Sequence, residues 1–324
     1  MNIFFSLTND RHVLIFRSNS LLPFDGSFTT LLCSIFSRKL FGRCKNMIPK
    51  IVWQTYRTHT IPNASRSNVN RMKAQNIDWD FRLYNDSEIL QCFRQFDGRV
   101  EHVVRQIVPG VARADLWRYC ILYLNGGVYL DLDAKLTRRL DWLPLNGAAL
   151  SLEDWKGGWP QAWRSSFQAM VPLVHHIEPK NFHTLKGQQV RYTSKARRLG
   201  YSKCPFGQFM LASSPRHVVF KEMIYDSIKK ITSWRETPYT QSIPMVSRIC
   251  WLTGPSAFTV TVERLIYENK VKVVGANTSH SLQNDSLVVF QHDFDKFVTR
   301  KYLANYGWDK NYRHVSGPFM SSNA

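Results

Sequence analysis

The run Asp115-Leu116-Trp117-Arg118-Tyr119-Cys120-Ile121-Leu122-Tyr123-Leu124-Asn125-Gly126-Gly127-Val128-Tyr129-Leu130-Asp131-Leu132-Asp133 decides how this chain is read. Between Val111 and Leu124 the residues Leu116, Tyr119, Cys120, Tyr123 and Leu124 recur at steps of three and four, the spacing of one helical face. Asn125, Gly126 and Gly127 end that helix, because glycine accepts the left-handed backbone that closes one. Val128 to Leu132 then predicts a buried strand with Asp131 and Asp133 where it runs out. Residues two apart on a strand share a face, so both carboxylates can approach one cation. Mg²⁺ or Mn²⁺ suits such oxygen ligands, fills its other positions with water and phosphate oxygens, and neutralises charge on a departing diphosphate.

A D-x-D pair alone is a weak signal, and the chain holds three: Asp78 with Asp80, Asp131 with Asp133, and Asp293 with Asp295. Only the middle pair ends an apolar strand that follows a helix and a double glycine, and open α/β sheets bind ligands at the carboxyl ends of their strands. Asp115 and Arg118, three apart, share a helical face. They read either as a surface ion pair of little weight or as a sugar-binding pair, Asp115 accepting from hydroxyls and Arg118 reaching a phosphate or hydroxyl. The two glycines read either as a helix cap or as room for a ligand against the backbone.

Around this block the pattern alternates. Ile51, Val52 and Trp53 predict a first buried strand, a helix follows around Ser67 to Gln75, Phe81 to Tyr84 predict a second strand, and Asn85-Asp86-Ser87 starts another helix. Later strands are expected near 209–212, 271–274 and 287–290, with loops and small helices from 141 to 203. The result is an α/β fold, a mixed sheet with helices on its faces. Residues 1–46 lack sustained periodicity and read as an appendix, a weak targeting segment or an extension upstream of a start at Met47, leaving 47–324 as the organised domain. The cytoplasm or a membrane periphery is the expected location, and an ER or Golgi lumen if the first segment targets.

Six cysteines show no zinc-ligand spacing. The 43 Lys and Arg against 24 Asp and Glu give a net charge of +19, which suits phosphorylated substrates or an anionic membrane surface. No helix-turn-helix, zinc-finger or RNP pattern accompanies it, so a specific nucleic-acid partner is not expected.

The segments 113–119, Leu122-Tyr123 and 126–133 closely resemble the DXD region of the glycosyltransferase family that includes the yeast initiating α-1,6-mannosyltransferase, α-1,4-N-acetylglucosaminyltransferase and capsular polysaccharide transferases. Ile48 to Thr55 resembles the family's first strand. Phe209-Met210 with Ser213, Pro215 and His217, then Thr253-Gly254-Pro255 with Thr259, resemble its later blocks. The resemblance implies a GT-A fold, a nucleoside-diphosphate sugar donor (UDP- or GDP-linked), a divalent metal, retention of configuration, and a glycan, lipid or protein acceptor. Carried over by position, Asp115 and Arg118 hold the donor sugar, Tyr129 and Asp131 contact ribose, sugar or metal, Asp133 ligates the metal, and Val52 and Trp53 lie against the nucleobase, although an aromatic at a strand end is commonly core. Gly127 lines the donor, His292 is a third metal ligand or an ordinary strand-end histidine, and Glu153 and Asp154 steady the oxocarbenium-like sugar. Where the family usually has Asn before Phe-Met, this chain has Gly207-Gln208. The rival readings are a non-catalytic carbohydrate- or nucleotide-sugar-binding domain and a basic nucleic-acid binder.

Overall fold

The computed structural model describes residues 2–8, 11–17, 47–152, 206–274, 285–290, 298–300 and 317–321. The chain divides into two units, Met1–Lys45 and Asn46–Ala324. The first contains a hairpin, β1 (Asn2–Thr8) paired antiparallel with β2 (Arg11–Arg17). That regular pairing was not legible as periodicity.

The second unit is built on a mixed sheet of seven strands. They are β3 (Ile51–Thr55), β4 (Asp80–Tyr84), β5 (Gly127–Leu130), β7 (Ala148–Leu152), β8 (Phe206–Ser213), β9 (Lys272–Val274) and β10 (Ser286–Phe290), in spatial order β4-β3-β5-β8-β7-β10-β9. β8 alone runs antiparallel to its neighbours β5 and β7; the other pairings are parallel. The carboxyl ends of β4, β3, β5, β7 and β10 therefore share one edge with the amino end of β8. A short β6 (Ala134–Leu136) pairs separately with β11 (Val298–Arg300). This mixed sheet with covering helices is the α/β fold expected from the sequence.

Both faces are covered, and side chains alternate between them with the period of a strand. On one side Val52, Val128, Leu130, Ala149, Met210 and Ala212 pack with Val69 and Met72 of helix α1 (Asn63–Gln75). On the other, Trp53, Tyr129, Leu150 and Leu211 pack against α2 (Ile89–Phe96), α3 (Gly98–Gln106), α4 (Gly110–Asn125), α5 (Val218–Thr232), α7 (Met245–Leu252) and α8 (Pro255–Tyr267), with the short α6 (Pro238–Ser242) preceding α7. The Asn85 side chain accepts from the backbone of Ser87 and Glu88, while the Glu88 carboxylate accepts from Asn85 N–H, a reciprocal box that starts α2. Among the described residues no helix is long and apolar enough to cross a membrane.

The helix α4 is where the structure departs most from an amphipathic reading. Every residue from Asp115 to Leu122 is buried, including the polar pair. It lies between the sheet and the helices α2, α5 and α7, so no face remains for water. The double glycine after it is fixed by packing. Gly126 has φ +66, and the indole N–H of Trp53 donates to its carbonyl at 2.7 Å. Gly127 has φ +99, and a Cβ there would stand 2.7 Å from the Ile51 carbonyl and 2.8 Å from Trp53 Nε1. Both glycines thus serve close approach of protein to protein. Gly127→Ala combines a left-handed backbone with one clash against backbone and one against the buried Trp53 ring, so it should lower unfolding free energy by at least ~2 kcal/mol. Urea denaturation of the variant checks this, and an unchanged midpoint would contradict the packing account.

Candidate active site

The carboxyl edge of the sheet gathers the groups that carry chemistry. β5 stops at Leu130, two residues earlier than expected, because Leu132 and Asp133 enter a turn closed by a hydrogen bond from Ala134 N–H to the Asp131 carbonyl, 3.1 Å. The argument that Asp131 and Asp133 share a strand face is therefore corrected. Both are carried by this turn, with Asp131 still held in the ladder through its N–H to the Phe209 carbonyl at 2.8 Å. The alternation that does hold is between Tyr129 and Asp131. Both face α4, and the Tyr129 hydroxyl donates to Asp131 Oδ1 at 2.6 Å.

Behind that turn Arg118 is the hub. Its Nη2 lies 3.0 Å from Asp115 Oδ1 and its Nη1 lies 3.6 Å from Asp131 Oδ1, with Asp115 and Arg118 side chains only 6% and 9% exposed. The surface reading of this pair is thus overturned. Nη1 also donates to the Gln208 carbonyl at 2.9 Å, and the guanidinium sits 4.4 Å over the Tyr129 ring. Its Nε–H is buried without a partner. Asp115 Oδ2 accepts from the Thr253 hydroxyl at 3.1 Å.

Electrostatics follow from this burial. Loss of water pushes the Asp115 carboxyl up to about 6, against the pull of Arg118 and Thr253. For Arg118 burial works downward, yet Tyr129, Asp131 and Asp115 outweigh it and its acidity falls further. Burial, reinforced by Asp131, also holds the Tyr129 phenol well above its ordinary range despite Arg118, so it remains a hydrogen-bond donor.

The other expected site residues fall differently. Val52 and Trp53 are 0% and 2% exposed and point into opposite layers of the core, so neither presents a surface to a nucleobase. The Trp53 ring instead begins an aromatic chain through Tyr84 to Trp117 and Tyr129. The aromatic that does reach the edge, just past β3, is the partly buried Tyr56, with the Arg57 guanidinium 5.6 Å from its ring centre. Gly127 is taken up by Trp53, as above. Glu153, Asp154, His292 and the pair Asp293 and Asp295 lie outside the described residues. The pair Asp78 and Asp80 is at the amino end of β4 and is engaged elsewhere, Asp78 with Lys50 and Arg139, Asp80 with Arg82.

Among the described residues no group of three or more His, Cys, Asp or Glu forms a metal site. The side-chain ligands available here are the carboxylates of Asp131 and Asp133. That donor set fits Mg²⁺ or Mn²⁺, which keep several waters and complete their shell with substrate phosphate.

Residues 51–149 match the family model described as a glycosyltransferase sugar-binding region containing a DXD motif. This segment is similar to the DXD region of glycosyltransferases. Inositol phosphoceramide mannosyltransferase 1 of Schizosaccharomyces pombe is 30% identical over 151 residues, 46% of this chain and 46% of that protein. The initiation-specific alpha-1,6-mannosyltransferase of Saccharomyces cerevisiae is 28% identical over 105 residues, 30% of this chain and 22% of that protein. The chain spans less than half the length of these curated relatives. Among solved structures, a match to PaToxG glycosyltransferase covers 74% of this chain and 78% of that one, at 12% identity and a TM-score of 0.41.

Sequence reasoning named Asp115, Arg118, Tyr129, Asp131 and Asp133, and passed over Tyr119, Gln208 and Thr253, which the structure places against Asp115 and Arg118. Thr253 was visible only as part of a resembling block and Tyr119 only as part of an apolar stripe. Asp115 supplies a test of the buried arrangement. Its folded-state value of about 6 exceeds the ordinary 3.8, so between roughly pH 4 and pH 6 the native protein keeps a proton that the unfolded chain releases. Stability therefore falls as pH rises through that window, by up to ~3 kcal/mol, and Asp115→Asn should remove that slope. Urea midpoints of both proteins between pH 4 and pH 7 check it, parallel profiles being the contrary result.

Proposed function

We propose that this chain is a metal-dependent, retaining glycosyltransferase that moves a hexosyl group from a UDP- or GDP-linked donor to a hydroxyl of a glycan, lipid or protein. The observation that carries the reading is the turn bearing Asp131 and Asp133 at the carboxyl edge, backed by the buried Arg118 and Asp115 within the matched sugar-binding region. Mn²⁺ or Mg²⁺, held by Asp131 and Asp133, supplies neutralisation of the charge on the leaving diphosphate when bound. The chain's own residues do the rest by positioning. The Tyr129 hydroxyl orients the Asp131 carboxylate. Arg118 brings a fixed positive charge close to Asp131 and has one buried N–H free to donate to a donor oxygen. Asp115, with an acceptor site remaining on each oxygen, takes a sugar hydroxyl. In a retaining transfer of this kind the departing phosphate oxygen takes the acceptor proton, so no protein base is required.

Both relatives named above are called mannosyltransferases, which makes mannose the first sugar to test. One is named for inositol phosphoceramide, and a net charge of +19 favours an acceptor with an anionic headgroup of that kind. A panel of UDP- and GDP-sugars with Mn²⁺, scored by nucleotide release with and without acceptor, tests the donor. A preference for one nucleotide-sugar supports an active transferase over a binding-only domain. Asp133→Ala should reduce release at least ~100-fold with its urea midpoint unchanged, since the side chain stands partly exposed in a turn. Full release by that variant would sink the assignment.

A further inference from the structure

The polar groups behind the D-x-D turn close on themselves. Arg118 Nη2 is ion-paired with Asp115 Oδ1 at 3.0 Å, and Nη1 donates to the Gln208 carbonyl at 2.9 Å. The Gln208 side-chain amide donates to the Tyr119 hydroxyl. Tyr119 in turn donates to the Thr253 carbonyl at 3.0 Å, and the Thr253 hydroxyl donates to Asp115 Oδ2 at 3.1 Å. Each of the five residues is 7% exposed or less. The ring joins three segments distant in sequence: α4, the amino end of β8, and the residue that follows α7.

We propose that Tyr119, Gln208 and Thr253 are positioning residues that fix the orientation of the Asp115 carboxylate toward the donor sugar through this closed ring. The inference rests on the donor-site reading above and goes beyond it by naming what holds the sugar-binding carboxylate still. Asp115 is followed on its helix by the buried Leu116 and Trp117, and its two oxygens could rotate about the Cβ–Cγ bond if only Arg118 held one of them. With Thr253 on the second oxygen the carboxylate plane is set from both sides, and the lone pairs left over point in fixed directions. Tyr119 cannot shift to release Thr253 because its ring is stacked on Phe258, centroids 5.4 Å apart with 8° between planes, and Phe220 lies beyond. Gln208 also explains the departure from the usual Asn at this block. The longer amide reaches inward to Tyr119 while its own main-chain carbonyl receives Arg118.

The effect expected of such residues is specific to the sugar. Affinity for the nucleotide-sugar should fall relative to the matching nucleoside diphosphate, and affinity for the diphosphate alone should stay. Thr253→Val keeps the shape and removes the hydroxyl, Thr253→Ser restores a hydroxyl, and Tyr119→Phe opens the ring elsewhere. The experiment measures, with Mn²⁺, binding of UDP, GDP and their sugar-linked forms, GDP-mannose included, together with the KM and kcat of nucleotide release and the urea midpoint of each variant. The expected result is a rise of ~10-fold or more in KM for the nucleotide-sugar in Thr253→Val and in Tyr119→Phe, unchanged diphosphate binding, and recovery in Thr253→Ser. Equal loss of both ligands, failure of Thr253→Ser to recover, or variants indistinguishable from wild type would overturn the ring. A wild-type protein that binds no nucleotide-sugar would overturn the donor-site reading itself, and this inference with it.

Discussion

An ion pair almost wholly withdrawn from water, Asp115 with Arg118, is the constraint around which this site is organised. Taking both charges into the interior is unfavourable by several kcal/mol per ion unless every remaining donor and acceptor is met. The surrounding groups meet most of them: the Gln208 main-chain carbonyl and Asp131 for the guanidinium, Thr253 for the carboxylate, and the face of Tyr129 beneath the cation. What is left unmet, the Nε–H of Arg118, is the kind of group that a ligand oxygen satisfies.

The same constraint explains the local backbone. For Arg118 on α4 to meet Asp131 past the end of β5, the helix must turn back into the sheet within two residues. Gly126 and Gly127 allow that reversal at positive φ, and Trp53 fastens it by donating to the Gly126 carbonyl. Trp53 is therefore a structural clamp under the site. A side chain that might have stacked on a base is used to bring β3, α4 and β5 into register.

Much of the fold was legible because it depends on local spacing. The helix over α4, the strands β3, β4, β8 and β10, and the Asn85 start of α2 follow from periodicity and capping chemistry within a few residues of one another. Other elements were not. β7 lay in a stretch read as loops, and the hairpin of residues 2–17 in one read as an appendix. The end of β5 was placed two residues too late because Leu132 is as apolar as its neighbours, and only the turn hydrogen bond from Ala134 distinguishes it. Burial of α4 on all sides was equally hidden, since the stripe of apolar residues marks one face and cannot report what covers the others.

By itself the sequence determined the D-x-D block, its helix, the double glycine and the identity of the charged pair, all within nineteen consecutive residues, Asp115 to Asp133. The tertiary structure alone decided that this pair is buried, that Val52 and Trp53 are core, and that Gln208 serves Arg118 from 90 positions away and Thr253 serves Asp115 from 138. The physical reason is range. Helix and strand periods act between neighbours along the chain, whereas the hydrogen bonds that satisfy a buried charge can come from any segment that packing brings within about 3 Å, and no pattern along one sequence encodes that meeting.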